Sequence, residues 1–302
     1  MNNKFRPPNS YLDDTLQTLV IVDYSNLLYR AWFVSAKRPW VAYCKFFDML
    51  RVCVKRSKQK DVPLKVIFAG ESRTKLKRAE IFPEYKGTRV HNKDSKFTDF
   101  KNGLAELLKN VGWDILCEDG EEADDIIASI VAKYCHKCTC KVPCVNCDCH
   151  LKYKTDVVIF SGDRDLQQCL AWDRTFIYRA PGLFITKEAF EEEHGFPVAK
   201  YNVYKALVGD LSDNIKGVEG FGPAKATLAI KTNSVAEDIW EMCGESGHDE
   251  FKLALSLVNL NTKIDVDIDS LYLGHPIFDD KMITKKYNDK VLLELQRLRE
   301  EF

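Results

Sequence analysis

The sequence predicts an α/β fold in which a doubly wound, mainly parallel sheet is followed by a helical C-terminal lobe. Short apolar runs, typical of buried parallel strands, recur along the first 186 residues and alternate with helical patterns. From residue 187 onward the pattern is mostly helical. At 302 residues, with 45% hydrophobic and 29% charged residues, the chain is long enough for about two globular domains.

The predicted core, residues 17–186, follows a polar N-terminal arm, residues 1–16. Strands are expected at short apolar runs, and helices where apolar residues lie on one face. In chain order the elements are a strand at 18–23, a helix at 41–56, strands at 64–68 and 113–117 around a helix at 97–110, a helix at 122–134, a strand at 156–160 and a hairpin at 175–186. The segment 72–96 lacks apolar periodicity and is expected to be partly mobile.

Carboxylates recur where a strand is expected to end or a helix to begin. In a parallel sheet the functional crevice lies at the carboxyl ends of the strands, so these side chains should converge there. Like charges at close range require counter-ions, and Mg²⁺ or Mn²⁺ prefer oxygen ligands. The nine acids are Asp23, Glu71, Glu122, Asp124, Asp125, Asp163, Asp165, Asp210 and Asp213. The pattern predicts a metal-dependent enzyme that acts on phosphate.

The spacing of the acids indicates how they divide between ions. Glu122 and Asp125 are three residues apart and share a helix face, whereas Asp124 is turned away and could ligate a neighbouring ion. Any single pair could be a helix cap or a solvated turn instead. The occurrence of acids in five such contexts favours the metal site.

The net charge of −1 conceals a basic segment that directly follows Glu71. Residues 72–101 contain nine Lys or Arg against four acids, a local net charge of +5. A positive segment beside an acidic pocket suits a polyanion whose scissile phosphate must meet metal ions. The alternative is a solvated helix face. There is no apolar run long enough for a membrane span and no secretory signal, so we expect a soluble intracellular protein, in the host cytoplasm if phage-encoded.

A cysteine-rich insert occupies residues 135–150, where a C-x₂-C-x-C unit is duplicated. Paired C-x₂-C units indicate zinc, and redox or unbound thiols are the alternative. The simplest ligand set is Cys135, Cys138, Cys144 and Cys147, with Cys140, Cys149, His136 and His150 as spare candidates for this ion or for a two-zinc cluster. Because the insert follows a helix and precedes a strand, it should lie at the amino ends of the strands, as a structural or partner-binding knuckle.

Five motifs follow one another between about residues 18 and 232: VIVDYSNLLYR, GESRTKLKRAEIFPEYKGTR, GEEADDIIA, SGDRDLQQ and GDLSDNIKGVEGFGPAKA. Together they resemble the flap endonuclease / 5′–3′ exonuclease family, especially its bacteriophage-type members, which are RNase H-like, primer-removing replicative nucleases. The resemblance implies a PIN-like 5′-nuclease core with a helical arch at about 72–100. It also implies a helical DNA-binding lobe at 187–302 that contains a helix–three-turn–helix element.

By this resemblance the nine acids occupy the family's metal-binding positions for two ions, and Asp23, Asp124 and Asp163 are among the catalytic residues. One position departs from the family, which usually has Asp where this chain has Glu71. Lys86 matches a basic residue at the foot of the arch that stabilises charge on the scissile phosphate.

Three further arch residues are assigned by the same resemblance. Arg89 is expected to act with Lys86 on the scissile phosphate, and Arg78 to hold a backbone phosphate. Tyr85 is expected either to stack on an unpaired base or to pack inside the protein.

The glycine-rich turn before residue 223 carries the DNA-binding prediction for the lobe. Gly217, Gly220 and Gly222 precede a helix that opens with proline, so exposed N–H groups there could bind a duplex phosphate. Lys216 and Lys225 would assist. The turn resembles the family's helix–three-turn–helix, in which backbone carbonyls can hold K⁺.

The leading interpretation is a monomeric, structure-specific 5′-nuclease for branched or nicked DNA, or for RNA–DNA hybrids, in replication or repair. The alternatives are a catalytically inactive DNA junction-binding protein, which the complete acid set disfavours, and a single-strand ribonuclease, which needs no duplex clamp. The last residues, VLLELQRLREEF, form an amphipathic segment ending in Phe302. This segment either docks on a polymerase clamp or single-strand-binding protein, or packs on its own domain.

Overall fold

The central sheet has six strands in the order β3-β2-β1-β4-β5-β6, in a computed structural model that describes residues 17–89, 94–135, 155–232, 236–268 and 270–302. The strands are β1 (Gln17–Asp23), β2 (Leu64–Ala69), β3 (Ile115–Leu116), β4 (Thr155–Phe160), β5 (Thr175–Arg179) and β6 (Leu183–Ile185). All neighbouring pairs are parallel except the β5–β6 hairpin. The predicted doubly wound, mainly parallel sheet is therefore confirmed.

Helices connect and cover these strands. They are α1 (Tyr24–Val34), α2 (Pro39–Ser57), α3 (Arg78–Ile81), α4 (Ser95–Asn110), α5 (Ala123–Tyr134), α6 (Lys187–His194), α7 (Tyr201–Val208), α8 (Pro223–Thr232), α9 (Ala236–Val258), α10 (Asp280–Lys286) and α11 (Asp289–Arg299). The expected strand at 113–117 is only two residues long, because it pairs with β2 only at Phe68 and Ala69. None of the described helices is long and apolar enough to cross a membrane.

Each face of the sheet is covered by its own apolar layer, because side chains alternate along a strand. In β1, Leu19 and Ile21 face the layer that contains the apolar side chains of α5, α7 and α8. Val20 and Val22 face the other layer, which is formed with α1, α2 and α4. These strand residues are 0–1% exposed, so β1 is buried on both faces.

The last two helices differ from the expected division of the chain at residue 187. They pack in the layer formed with α2, not with the other helices that follow β6. The reason is that α11 buries an apolar face, which includes Leu295 and Leu298. Beyond α11, the Phe302 ring lies 6.2 Å from that of Trp113, and the Glu301 carboxylate pairs with Arg51 at 3.6 Å. The C-terminal segment therefore packs on its own domain, the second of the two predicted alternatives.

The cysteine-rich insert lies mostly outside the described residues, as do the N-terminal arm and residues 90–93 of the arch. Of the candidate zinc ligands only Cys135 is described, at the end of α5. Its thiol is buried, 3.9 Å from the carbonyl oxygen of Thr155, and burial raises the pKa of this thiol to about 12. Thr155 pairs with Gln17 at the start of β1, so the insert leaves and re-enters the fold at the amino ends of the strands.

The packing of α11 predicts a large difference between two leucines two residues apart. Leu295→Ala should lower the free energy of unfolding by about 2–5 kcal/mol, because it leaves a cavity in a fully buried layer. Leu293→Ala, at a side chain that is 44% exposed, should change the free energy of unfolding by less than about 0.5 kcal/mol. Chemical denaturation of both variants would measure this. Equal effects would show that α11 is not docked as described.

Candidate active site at the carboxyl edge of the sheet

The structure places all nine predicted acids at or beside the carboxyl edge of the sheet. Asp23 is the last residue of β1, and its partner in β2 is Ala69, two residues before Glu71. Asp163 and Asp165 follow the end of β4, the other neighbour of β1. The remaining acids are brought there by the start of α5 and by the 3₁₀ turn Leu211–Asp213 with the residue before it. Parallel strands around a switch in strand order thus create the expected crevice.

Asp23 is fixed at this edge by donors that the sequence reasoning missed. Its side chain caps α1 by accepting a hydrogen bond from the backbone N–H of Asn26 at 3.0 Å. Ser161 Oγ, just after β4, donates to the other oxygen of Asp23 at 2.8 Å. The Asn26 side chain in turn accepts from the N–H of Gly162, so the ends of β1 and β4 are held together. The motifs VDYSN and FSGD contain these polar residues, and their position after buried strands was the available signal.

In the group Asp23, Asp124, Asp163 and Asp165, only the last is paired with a basic residue of the described ranges, so negative charge is least compensated around the first three. Burial, and then the charges of Asp163 and Glu71, raise the pKa of Asp23 to about 6. Burial and the other three carboxylates also raise the pKa of Asp124 well above its usual value. Asp23 and Asp124 therefore lie close enough to neighbouring carboxylates to be repelled by their charge.

Lys205, which the sequence reasoning also missed, compensates the acids on one side of this group. It is a buried residue of α7, and its ammonium contacts both Asp165 and Asp210, the second at 2.6 Å. Burial raises the pKa of Asp165 to about 6 even though Lys205 opposes the rise. At Asp210, burial favours a higher pKa, but hydrogen bonds from Lys205 and Ser212 hold the pKa below its usual value. The signal in the sequence was a lysine within an otherwise apolar helical turn, YKALV.

The foot of the arch compensates the acids on the other side. Lys86 donates from its ammonium to Glu122 and lies 3.9 Å from Glu71, while Arg89 pairs with Asp213. The backbone N–H of Lys86 also donates to the carbonyl of Asp213 at 3.0 Å. The side chain of Lys86 is 14% exposed and that of Arg89 is 44% exposed. Two predicted phosphate-stabilising groups are therefore held directly over predicted metal ligands.

Tyr85 is buried, which agrees with internal packing and not with stacking on a base. Its ring is 7% exposed and belongs to the same apolar layer as α5. Its hydroxyl lies 2.8 Å from Glu122 Oε2 and 3.1 Å from Asp213 Oδ2. Two further short strands, β7 (Gly209–Asp210) and β8 (Ile215–Lys216), flank the turn that contains Asp213. Tyr85 thus joins the start of α5 to the turn between β7 and β8, with its single proton available to either carboxylate.

Arg78 also differs from its expected role. Its guanidinium faces Glu122 and Asp125, and its side chain is 12% exposed. The protein supplies an acceptor for each of its five N–H groups. No donor of Arg78 is left for a DNA phosphate in this geometry.

The glycine-rich turn places two backbone constraints beside the site. A Cβ atom on Gly217 would lie 2.3 Å from the carbonyl oxygen of Leu207, so only glycine allows this contact with α7. Gly220 has a positive φ of 77°, and α8 begins at Pro223 as the sequence predicts. At Gly222 a Cβ would meet nothing within 4 Å.

Two predicted lysines flank this turn. Lys216 is exposed in β8, and the Lys225 ammonium lies 4.2 Å from the centre of the Phe221 ring. The open space at Gly222 and these two cations leave room for a phosphate, and a phosphate contact at this turn stays a prediction.

The acids do not form a ready-made metal cage. Among the residues that the structure describes, no three His, Cys, Asp or Glu side chains are grouped so that they could hold a metal ion as they stand. This differs from the expected nine-ligand cluster, because several carboxylates hold basic side chains instead. The carboxylate oxygens around Asp23, Asp124 and Asp163 nevertheless fit hard divalent ions in donor type and in uncompensated charge.

Comparison with known proteins gives consistent relatives. A family model described as the 5′-3′ exonuclease, N-terminal resolvase-like domain, matches residues 18–195. A 5′-3′ exonuclease of Aquifex aeolicus is 29% identical over 266 residues, covering 84% of this chain and 85% of that protein. A DNA polymerase I of Caldicellulosiruptor bescii is 26% identical over 294 residues, which is 92% of this chain but only 32% of the polymerase.

Solved structures share the fold. The T5 D15 protein crystallised with metal ions has a TM-score of 0.65 at 21% identity, covering 94% of this chain and 99% of that one. A variant of the bacteriophage T5 D15 flap endonuclease, in a complex with DNA and metal ions, has a TM-score of 0.64 at 22% identity, covering 94% and 100%. At this identity the likeness shows a common fold.

Removing the Lys205 cation should change the pKa of the acids that it contacts and leave the pKa of the other acids unchanged. In metal-free Lys205→Met, the pKa of Asp165 should rise above about 6, because the cation that favours its ionised form is gone. Asp23 is the internal control, since its pKa of about 6 is set by burial, hydrogen bonds and other carboxylates. Carboxyl ¹³C titration by NMR would measure both groups. An unchanged pKa of Asp165 would contradict the contact.

Proposed function

The chain belongs to the 5′-3′ exonuclease family, and from this premise we propose that it is a divalent-metal-dependent, structure-specific 5′-nuclease. It acts as a flap endonuclease and 5′–3′ exonuclease that hydrolyses phosphodiesters. The observation that carries the proposal is the group of Asp23, Asp124 and Asp163, which form no ion pair with any basic residue of the described ranges and lie beside the basic foot of the arch.

Metal ions are held in this proposal by the uncompensated acids Asp23, Asp124 and Asp163 and by Asp165, which is paired with Lys205, with Glu71 and Asp210 at the margins. When bound, two Mg²⁺ or Mn²⁺ ions supply an acidified water and stabilise the leaving oxygen. In the proposal, Ser161, Asn26 and the start of α5 keep the carboxylates of this group at the carboxyl edge. Their partial burial lowers the local dielectric constant and so strengthens their attraction for cations.

Positive charge for the scissile phosphate comes from Lys86 and Arg89. Both side chains reach the acids from the arch, and both are held there by carboxylates. A phosphate oxygen at this place would accept from the same donors, and fixed cations stabilise charge that develops in the transition state. Arg89 is the more accessible of the two, so it is the first to meet an incoming strand.

Branched or nicked DNA is the substrate class that this arrangement favours, with RNA–DNA hybrids as further substrates in replication or repair. The glycine-rich turn and Lys216 and Lys225 bind the duplex backbone in the proposal, so sequence specificity should be low. One family structure, the T5 D15 flap endonuclease, is solved with DNA and metal ions. A K⁺ ion at the turn, a structural Zn²⁺ at the cysteine-rich insert and a monomeric state stay predictions, and the docked C-terminal segment lends no support to clamp binding.

A 5′-labelled flap duplex tests the proposal most directly. Mg²⁺-dependent cutting near the junction is expected from the wild type, and none in EDTA, because the ions are required to activate water. Asp163→Ala/Asp165→Ala should lower the single-turnover rate by at least about 10³-fold, since removal of a single charge-stabilising donor already costs about 10²–10³-fold. Gel analysis of product lengths measures both the rate and the position of the cut.

The control must remove the same two charges elsewhere. Asp114→Ala/Asp249→Ala does this at two exposed positions that belong neither to the acid group nor to the arch, and it should cut at the wild-type rate. Tight flap binding by the wild type without any cutting would overturn the proposal and favour the inactive junction-binding protein.

A further inference from the structure

Arg78 and Asp125 form a bidentate ion pair that has no role in the proposed hydrolysis. Arg78 Nη1 lies 2.5 Å from Asp125 Oδ2, and Nη2 lies 2.7 Å from Oδ1. The Asp125 side chain is 1% exposed. This parallel arrangement is the strongest geometry available to a carboxylate and a guanidinium.

The oxygens of Asp125 are already occupied by the protein. Besides Arg78, Oδ1 accepts from the backbone N–H of Asn261 at 2.7 Å. Asp124, the next residue, has the opposite surroundings, since its carboxyl faces Asp163, Asp23 and Asp165. Because successive residues of an α-helix are rotated by about 100°, the adjacent side chains of Asp124 and Asp125 have different surroundings.

The remaining donors of Arg78 join three parts of the chain. Nε donates to the carbonyl of Leu257 at 2.9 Å and Nη2 to that of Asn259 at 2.8 Å, at the end of α9. Nη1 also lies 2.6 Å from Glu122, the residue before α5. Arg78 itself begins α3, eight residues before Lys86. One guanidinium thus connects the arch, the start of the acid-bearing helix and the segment after α9.

That segment is held from other sides as well. Gln168 donates to the carbonyl of Val258 at 2.9 Å, and Ser129 of α5 donates to that of Asn261 at 3.0 Å. The position of the arch relative to the acids therefore depends on a fixed polar junction, with Arg78 and Asp125 at its centre.

We propose that Asp125 is not a metal ligand but the anchor of Arg78, and that the two form a positioning pair that holds Lys86 and Arg89 over the acids. This inference rests on the proposed nuclease function for its consequence in catalysis, but not for the pair itself. Both oxygens of this buried carboxylate accept hydrogen bonds from the protein, three in all, so a metal ion could bind Asp125 only by displacing Arg78. Lysine cannot replace Arg78, because it lacks the planar fork that reaches both oxygens of Asp125 and two carbonyls at once.

The first test separates anchoring from metal binding. Mn²⁺ binding to the DNA-free protein, measured by electron paramagnetic resonance, should have the wild-type stoichiometry in Asp125→Asn. It should lose at least one ion in Asp163→Asn, because that acid belongs to the uncompensated group. Loss of an ion in Asp125→Asn would overturn the proposal.

The second test concerns position. Arg78→Lys and Asp125→Asn should each lower the single-turnover flap-cutting rate by about 10–100-fold, as loss of a supporting contact does. Flap affinity in EDTA should be retained, since neither residue faces DNA. Amide hydrogen exchange of residues 77–86 should be faster in both variants. A wild-type cutting rate in Arg78→Lys would contradict the positioning role. A loss of stability alone would not lower the cutting rate of the folded variant at saturating Mg²⁺, so the rate distinguishes the two effects.

Two further variants complete the design. Arg78→Met/Asp125→Leu removes both buried charges, so it avoids the unpaired charge that could prevent a single variant from folding. It should keep the Mn²⁺ stoichiometry and be no slower than the slower single variant, because the two residues act as one unit. If the double variant is slower by the product of the two single-variant factors, Arg78 and Asp125 act independently.

Lys60→Met is the matched control, since it removes a cation that precedes β2, lies outside the arch and is 94% exposed, and it should match the wild type in rate and exchange. If the wild type itself does not cut, the nuclease proposal is wrong. Mn²⁺ binding and hydrogen exchange still test whether Asp125 anchors Arg78.

Discussion

The crowding of carboxylates at one edge of a parallel sheet is the constraint on which the rest of the structure depends. Parallel strands bring Asp23, Glu71 and Asp163 to the same edge, and α5 adds more acids from its first turn. Buried like charges raise each other's pKa or require cations. The basic residues of the protein compensate only part of this negative charge. The acids that they leave uncompensated are the proposed metal site.

The basic residues that do satisfy it come from separate parts of the chain. Arg78, Lys86 and Arg89 come from the arch, whereas Lys205 comes from α7 beyond the hairpin. Each of these pairs is therefore also a tertiary contact, and breaking one leaves a buried charge without its partner. The acid cluster fixes the arch and α7 to the core, and in the proposed function it also binds the metal ions.

The sequence predicted what depends on local pattern and failed where tertiary contacts decide. The strands were predicted because buried parallel strands read as continuous apolar runs, and the acids because they follow those runs. The roles of Arg78 and Tyr85 were not predictable, since their partners Asp125 and Glu122 lie more than thirty-five positions away. Lys205 resembled any lysine on a helix until Asp165 was brought beside it. Likewise, the amphipathic end of the chain gave no indication that its partner was α2.

Compensation by lysine and compensation by metal compete for the same oxygens, and this has a consequence for the proposed reaction. Lys86 donates to Glu122 and Lys205 donates to Asp165 in the metal-free protein. In the proposed function, a divalent ion near Asp165 or Glu122 would weaken the hold of these carboxylates on the ammonium groups, because the acids would share their charge with a stronger cation. The cation most exposed to an incoming strand, Arg89, is paired with Asp213 in the same way. Pairs of this kind hold the basic groups beside the acids, so that each of these charges has a partner in the metal-free protein.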